Sequence, residues 1–369
     1  MKPIYAVPAT AALIYRAWSK KSLTPSGLLA AFLTAVAHAY HPWNLPFVLL
    51  CVFFLAGTRA THVKEEVKAK LTVRAKGTSG GEGPRTHIQV LANSLMASIF
   101  SIMHANQLRA REAALADPAS PDPRGTICFS WGGDLLLVGI VANYAAVAAD
   151  TFSSELGILA KGDPRLITSW NLRKVPRGTN GGVTLLGLGA GLLGSLIIIS
   201  ATMMFLPSCN SSTTSMPGGG QPWTVQQRRD FMSFMVVWGL LGSVLDSVLG
   251  GLFQRSVKDA RTGKIVEGEG GVRVLVSEDE DERIRLSKEQ TGSSASGTDK
   301  TSGVQQRKTG GKSSEPSFGD ELPSRIVENG WDVLDNNDVN FIMAVVMSVG
   351  AMAVMSWRWG IPVLDILTP

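Results

Sequence analysis

Apolar residues along this chain lie in long blocks, without the helical or strand-like alternation of a soluble domain. Residues 132–150 (GGDLLLVGIVANYAAVAAD) carry one acid near each end and none between. Segments 183–206, 231–253 and 340–357 behave similarly, with Asp246 as the one interior acid. Each approaches the roughly 20 residues that a helix needs to cross a bilayer core. Earlier candidates are 4–18, 25–40, 43–60 and 88–105, of which the first three are short or broken by proline. The pattern predicts an all-α, polytopic helical membrane protein with about seven or eight transmembrane helices. Lys2 before an apolar run resembles a signal peptide, but proline and arginine interrupt that run and no clear cleavage site follows. A retained first helix is expected.

Composition agrees. Of 369 residues, 45% are apolar and 18% charged, with mean hydropathy +0.14, whereas a soluble domain carries about 25% charge. Basic residues gather in alternate connections: Lys64, Lys68, Lys70, Arg74, Lys76 and Arg85 in 61–87, and Lys161, Arg165, Arg173, Lys174 and Arg177 in 151–182. Segment 254–338 opens with Arg255, Lys258, Arg261 and Lys264. The intervening connections are poorer in lysine and arginine. With eight spans the basic loops face the cytosol and both termini lie on the other side. The net charge of +5 then reflects orientation; nothing reads as a nucleic-acid motif.

Residues 1–264 form the main part of the membrane domain and 326–369 its final segment. Between them, 265–325 reads as a disordered cytosolic insertion, because SEDEDE (277–282) and the Gly/Ser-rich run after it lack large apolar side chains. Cys51, Cys128 and Cys209 show no metal-ligand spacing. Cys128 and Cys209 share the predicted non-cytosolic side, where a disulfide can form, and Asn210-Ser211-Ser212 in the same loop is a glycosylation sequon.

On this topology the polar residues collect at one face. Arg85, Gln89 and Asn93 recur every four residues at the cytosolic start of the 88–105 helix. Asp150 and Glu155 end the next span, and Asn180, Gly181 and Gly182 open the one after. Asp246 lies in the cytosolic third of 231–253. Asp335, Asn336, Asn337 and Asn340 sit where the last span begins. Magnesium takes carboxylate oxygens and shares phosphate oxygens, so Asp150, Asp246 and Asp335 are the candidate Mg²⁺ ligands and catalytic residues, with Glu155 next. Arg173, Lys174 and Arg177 suit phosphate charge, and backbone N–H groups at Asn180–Gly182 suit an anion. Singly, each has a plainer reading: a structurally paired Asp246, ordinary positive-inside cations, a simple turn. Gly187, Gly189, Gly191 and Gly194 fit close helix packing better than a dinucleotide loop, since no strand precedes them. His38, His41, His62, His87 and His104 have no paired spacing, and none is assigned a catalytic role.

Several stretches resemble the transmembrane protein 19 family of integral membrane proteins: KSLTPSG (21–27), FFLAGTRATHVK (53–64), PRTHIQVLANS (84–94), ADTFSSELG (149–157), PRLITSWNLRKVPRGTNGGVTLLG (164–187), GSVLDSVLGGLFQ (242–254) and LDNNDVN (334–340). That family often has Arg-Asp where this chain has Arg85-Thr86, and Asn-Gly where it has Asn93-Ser94. It includes phytyl-phosphate kinases, which use CTP to convert an isoprenyl monophosphate into a diphosphate. The resemblance implies a CTP-dependent prenyl-phosphate kinase with an isoprenoid phosphate and a nucleotide as partners, in the endoplasmic reticulum or another internal membrane. Alternatives are a polyprenol kinase, a non-enzymatic lipid or anion transporter, or a structural membrane protein.

Overall fold

Each predicted apolar block is a helix: α1 (Pro3–Ser19), α2 (Pro25–Ala39), α3 (Leu45–His62), α5 (His87–Ala116), α6 (Leu135–Gly157), α7 (Leu185–Phe205), α8 (Val225–Phe253) and α9 (Asn336–Trp359), with the single turn α4 (Glu65–Lys68) after α3. The computed structural model describes residues 1–74, 83–120, 125–268, 271, 274 and 325–364. Among these, six helices (α3 and α5 to α9) are long and apolar enough to cross a membrane. The two others are short: α2 has 15 residues, and α1 has 17 with Pro8 inside. Local chemistry sets the starts. Thr24, Thr184 and Thr224 accept hydrogen bonds from backbone N–H groups three residues on, at 3.0–3.1 Å, satisfying donors that a helix start leaves open.

Helix α6 is the axis of the bundle, with 89% of its most apolar window buried against other helices. Lipid is as apolar as a leucine side chain, so helix contact inside a membrane rests on close packing and small residues. Here alanines of α6 meet glycines of its neighbours. A methyl group on Gly194 of α7 would lie 2.5 Å from the Ala148 carbonyl oxygen, and one on Gly242 of α8 2.5 Å from the Ala146 Cβ. Gly187 and Gly191 likewise press on Ser153 and Ala149, whereas Gly189 faces open space. Outer faces such as Leu193 and Leu196 on α7, Leu241 on α8 and Val349 on α9 stay exposed, as lipid contact requires.

The three basic connections share one end. Strand β1 (Val73–Arg74) pairs with β5 (Ile265–Glu267), which continues through β4 (Ser256–Asp259) to β6 (Arg325–Asn329) in the sheet order β1-β5-β4-β6. A second ladder joins β2 (Arg165–Leu166) to β3 (Gly182–Val183). The membrane part is all-helical as expected; these sheets, at the end of the basic connections, are an addition. The ends of the expected insertion, Ile265–Glu267 and Arg325, are strand residues, while the rest of it, apart from residues 268, 271 and 274, lies outside the described residues.

The opposite end is tied by a Cys128–Cys209 disulfide and by a buried relay. Trp43 N–H donates to His41 Nδ1 (2.9 Å), which leaves His41 Nε2–H to donate to His104 Nδ1 (2.9 Å) and His104 Nε2–H to face Asp134 (3.1 Å). Arg111 completes the chain at 2.6 Å from Asp134. Burial alone would raise the Asp134 pKa, but His104 and Arg111 hold it below the usual carboxylate value. Two of the histidines that looked scattered in sequence, His41 and His104, thus pair through tertiary contact. A central test concerns α6: Gly242→Val should cost about 1–3 kcal/mol by overpacking, read as a lower unfolding temperature of the purified protein in detergent. An unchanged midpoint would remove close packing as the organising contact.

Candidate functional site

The α6–α8 contact carries two carboxyl groups together. These helices run parallel, with Ala145 and Ala146 against Gly239 and Gly242, and one turn nearer the basic end the side chain of Asp246 is hydrogen-bonded to that of Asp150. Two carboxyl groups in such contact share either a proton or a cation. Asp246 Oδ1 is buried and has no hydrogen-bond partner, so one hard oxygen of the pair remains available.

Beneath the pair, away from the basic end, lies a polar floor. Asn143 of α6 donates to the Asn93 carbonyl of α5 (2.9 Å) and accepts from Ser348 of α9 (3.4 Å). From that level, Asp150 is about 10 Å closer to the basic end along α6, and Asn337, buried on the Ser348 face of α9, about 16 Å. Gln89 lies about 6 Å closer along α5. Asn340 is half-buried on a flank of α9. Gln89 accepts from Thr86 N–H in a capping box, and Asn93 donates to the Gln89 carbonyl. The amides of α5 and α9 thus lie on helices that pack against α6, within about two turns of Asp150 along the bundle.

The turn Thr179–Gly182 closes the site against α8. Gly181 has φ +79°, and a side chain there would meet Gly251 Cα at 2.7 Å and the Ser247 carbonyl at 2.9 Å. Only glycine allows this approach. Asn180 N–H donates to Ser256 Oγ (2.9 Å), which locks the turn to β4. Hence a backbone turn rests on the helix segment immediately following Asp246.

Other sequence candidates have protein partners. Asp335 does not join the aspartate pair: its carboxylate caps α9, accepting from Asn337 N–H (2.8 Å) and Asp338 N–H (2.9 Å). Among the described residues no group of three His, Cys, Asp or Glu side chains is arranged to hold a metal. Arg173 bonds Glu328 (2.9 Å), Lys174 lies 3.8 Å from Asp163, and Arg177 donates to the Lys161 carbonyl (3.0 Å). Arg85 donates to Thr61 Oγ1 (3.3 Å), and Gln254 donates to Asn336 (3.4 Å). Glu155 pairs with Lys68, whose ammonium also reaches the Thr61 carbonyl.

Two residues went unmarked in sequence. Lys68 counted only as a positive-inside charge, and Asn143 was hidden inside an apolar block; an amide in mid-span was the available signal.

The donor set tests well for Mg²⁺. Asp150 and Asp246 offer hard oxygens, one of them unpartnered, and magnesium is commonly held by one or two carboxylates with phosphate oxygens and water.

Residues 8–348 match the family described as integral membrane protein DUF92. The chain belongs to that family. It is 32% identical over 256 residues to Protein PGR of Arabidopsis thaliana, covering 69% of this chain and 79% of that protein. It is also 32% identical over 180 residues to Protein VTE6, chloroplastic, of the same plant, covering 48% of this chain and 46% of the relative. An uncharacterized membrane protein of Methanocaldococcus jannaschii is 28% identical over 208 residues, 56% of this chain and 65% of its own. No solved structure matches.

Glu328 yields a pH prediction for this DUF92 member. Burial alone would raise its pKa, but Lys258 and Arg173 hold it below the ordinary 4.5. A depressed folded pKa gives stability that is present above the unfolded value and lost as pH falls through the folded one. Protease nicking of the β4–β6 region should therefore accelerate below about pH 4.5 and lose most of that acid response in Glu328→Gln. An identical acid response in the variant would exclude this ion pair as its source.

Proposed function

We propose that this protein is an integral membrane prenyl-phosphate kinase that transfers a phosphoryl group from CTP to an isoprenyl monophosphate. The observation that carries the reading is the Asp150–Asp246 carboxyl pair, with its unpartnered oxygen, beside a glycine turn at the cytosolic end of the bundle. Phosphoryl transfer needs mainly alignment and charge neutralisation. Bound Mg²⁺ would supply that neutralisation, with Asp150 and Asp246 as its protein ligands. A monophosphate acceptor is already anionic, so no strong general base is required. The isoprenoid tail would lie among the helices, with Gln89, Asn93, Asn337 and Asn340 near its phosphate.

Nucleotide phosphates would draw on Arg173, Lys174 and Arg177 in competition with Glu328 and Asp163, and on the backbone of Asn180, Gly181 and Gly182. Kinship with Protein VTE6 over about half the chain, and the resemblance to a family containing phytyl-phosphate kinases, support the substrate class. The Cys128–Cys209 disulfide suits a membrane whose far side is oxidising, such as the endoplasmic reticulum. A second reading, a polyprenol kinase, is favoured by the same pair, because a carboxylate there could take the proton of an alcohol.

The test is purified full-length protein with Mg²⁺, labelled CTP or ATP, and a panel of prenyl monophosphates and prenols. Label should pass to a monophosphate from CTP, and Asp150→Asn or Asp246→Asn should each lower the rate about 100-fold. Wild-type rates in both variants would overturn the site. Transfer to no acceptor, together with flux in liposomes, would favour a transporter.

A further inference from the structure

The cytosolic loop between β2 and β3 presents apolar side chains to solvent on a fixed turn. Trp170 is fully exposed, at 103%, and Leu172 is 44% exposed with φ +47°. A left-handed leucine is strained, yet this one is firmly held. Its N–H donates to the Ser169 carbonyl (2.9 Å), its own carbonyl accepts from Arg165 (3.1 Å), and Leu166 N–H donates to the Arg173 carbonyl (3.0 Å). Ser169 Oγ donates to Asn171 (2.7 Å) across the tip. The exposure is therefore built into the turn.

Its depth is also set. Thr168, at the base of the turn, packs on Gly251, so that a methyl there would meet it at 3.0 Å. That is the last turn of α8, next to Leu252, which is 40% exposed. β3 leads through Thr184 into α7, whose first residue, Leu185, is 88% exposed. Hence the tip sits at the boundary of the apolar belt and continues its surface. Around it, segment 158–180 carries five basic residues and one acid. Tryptophan favours the headgroup level, and juxtamembrane cations are attracted to anionic lipid.

We propose that Ser169–Leu172 is a membrane-immersed lip, with Trp170 and Leu172 in the cytosolic leaflet and the flanking cations on anionic headgroups. The immersed tip does not depend on the kinase reading, although Lys174 is shared with the nucleotide site of that reading. To test it, Asn171→Cys in a Cys51→Ser background is labelled with an environment-sensitive fluorophore and the full chain is reconstituted in phosphatidylcholine–phosphatidylserine vesicles. The probe should be quenched by spin-labelled lipid and shielded from aqueous iodide. Trp170→Ala should expose it, and Lys174→Glu should lower the inserted-to-free ratio of the tip roughly tenfold. A probe open to iodide would overturn the lip and leave a protein partner or second copy as its occupant. Shielding that ignores Lys174→Glu would overturn the headgroup contact.

Discussion

The near-backbone approach of α6 to α7 and α8 is the constraint on which the rest of this protein depends. Ala145, Ala146 and Ala148 face Gly239, Gly242 and Gly194 with no room for an added methyl, and Ala149 lies close to Gly191. In a membrane such contact must do what solvent exclusion does in water. Because α6 and α8 run parallel in that contact, Asp150 is brought to Asp246. A one-residue change in register would turn one carboxyl by about 100° and dissolve the pair.

The two ends of the bundle use polar groups differently. At the end opposite the basic connections, the Trp43–His41–His104–Asp134–Arg111 chain runs from a backbone amide to a buried ion pair. Such a network pins α5 and α6 to the α2–α3 turn. At the basic end, Asp246 keeps an unpartnered oxygen, and the backbone turn at Gly181 lies one helical turn beyond it. Buried atoms without a partner occur at both ends, so what distinguishes this one is a carboxyl pair beside a glycine turn.

Much of the architecture was legible along the chain. Eight apolar blocks became eight helices, the three basic connections share a face through β1, β5 and the Arg173–Glu328 pair, and Cys128 meets Cys209 across two loops assigned to the same side. The sheets were not legible, because strands of two to five residues carry too few positions for a period to register. Nor was the employment of individual polar side chains. Asp335 reads like Asp246 in a list of acids, yet it caps a helix, a role fixed by the backbone N–H groups next to it.

Blocks of apolar residues and the bias of lysine and arginine are sums over many positions, and lipid and the insertion machinery respond to such sums. The chain therefore determined by itself its apolar helices, their order and the basic connections that share one end. Which two aspartates meet, which cations are already neutralised, and which histidines form a relay depend on helix rotation and register. Those are decided by contacts between residues far apart in sequence, and only the folded bundle contains them.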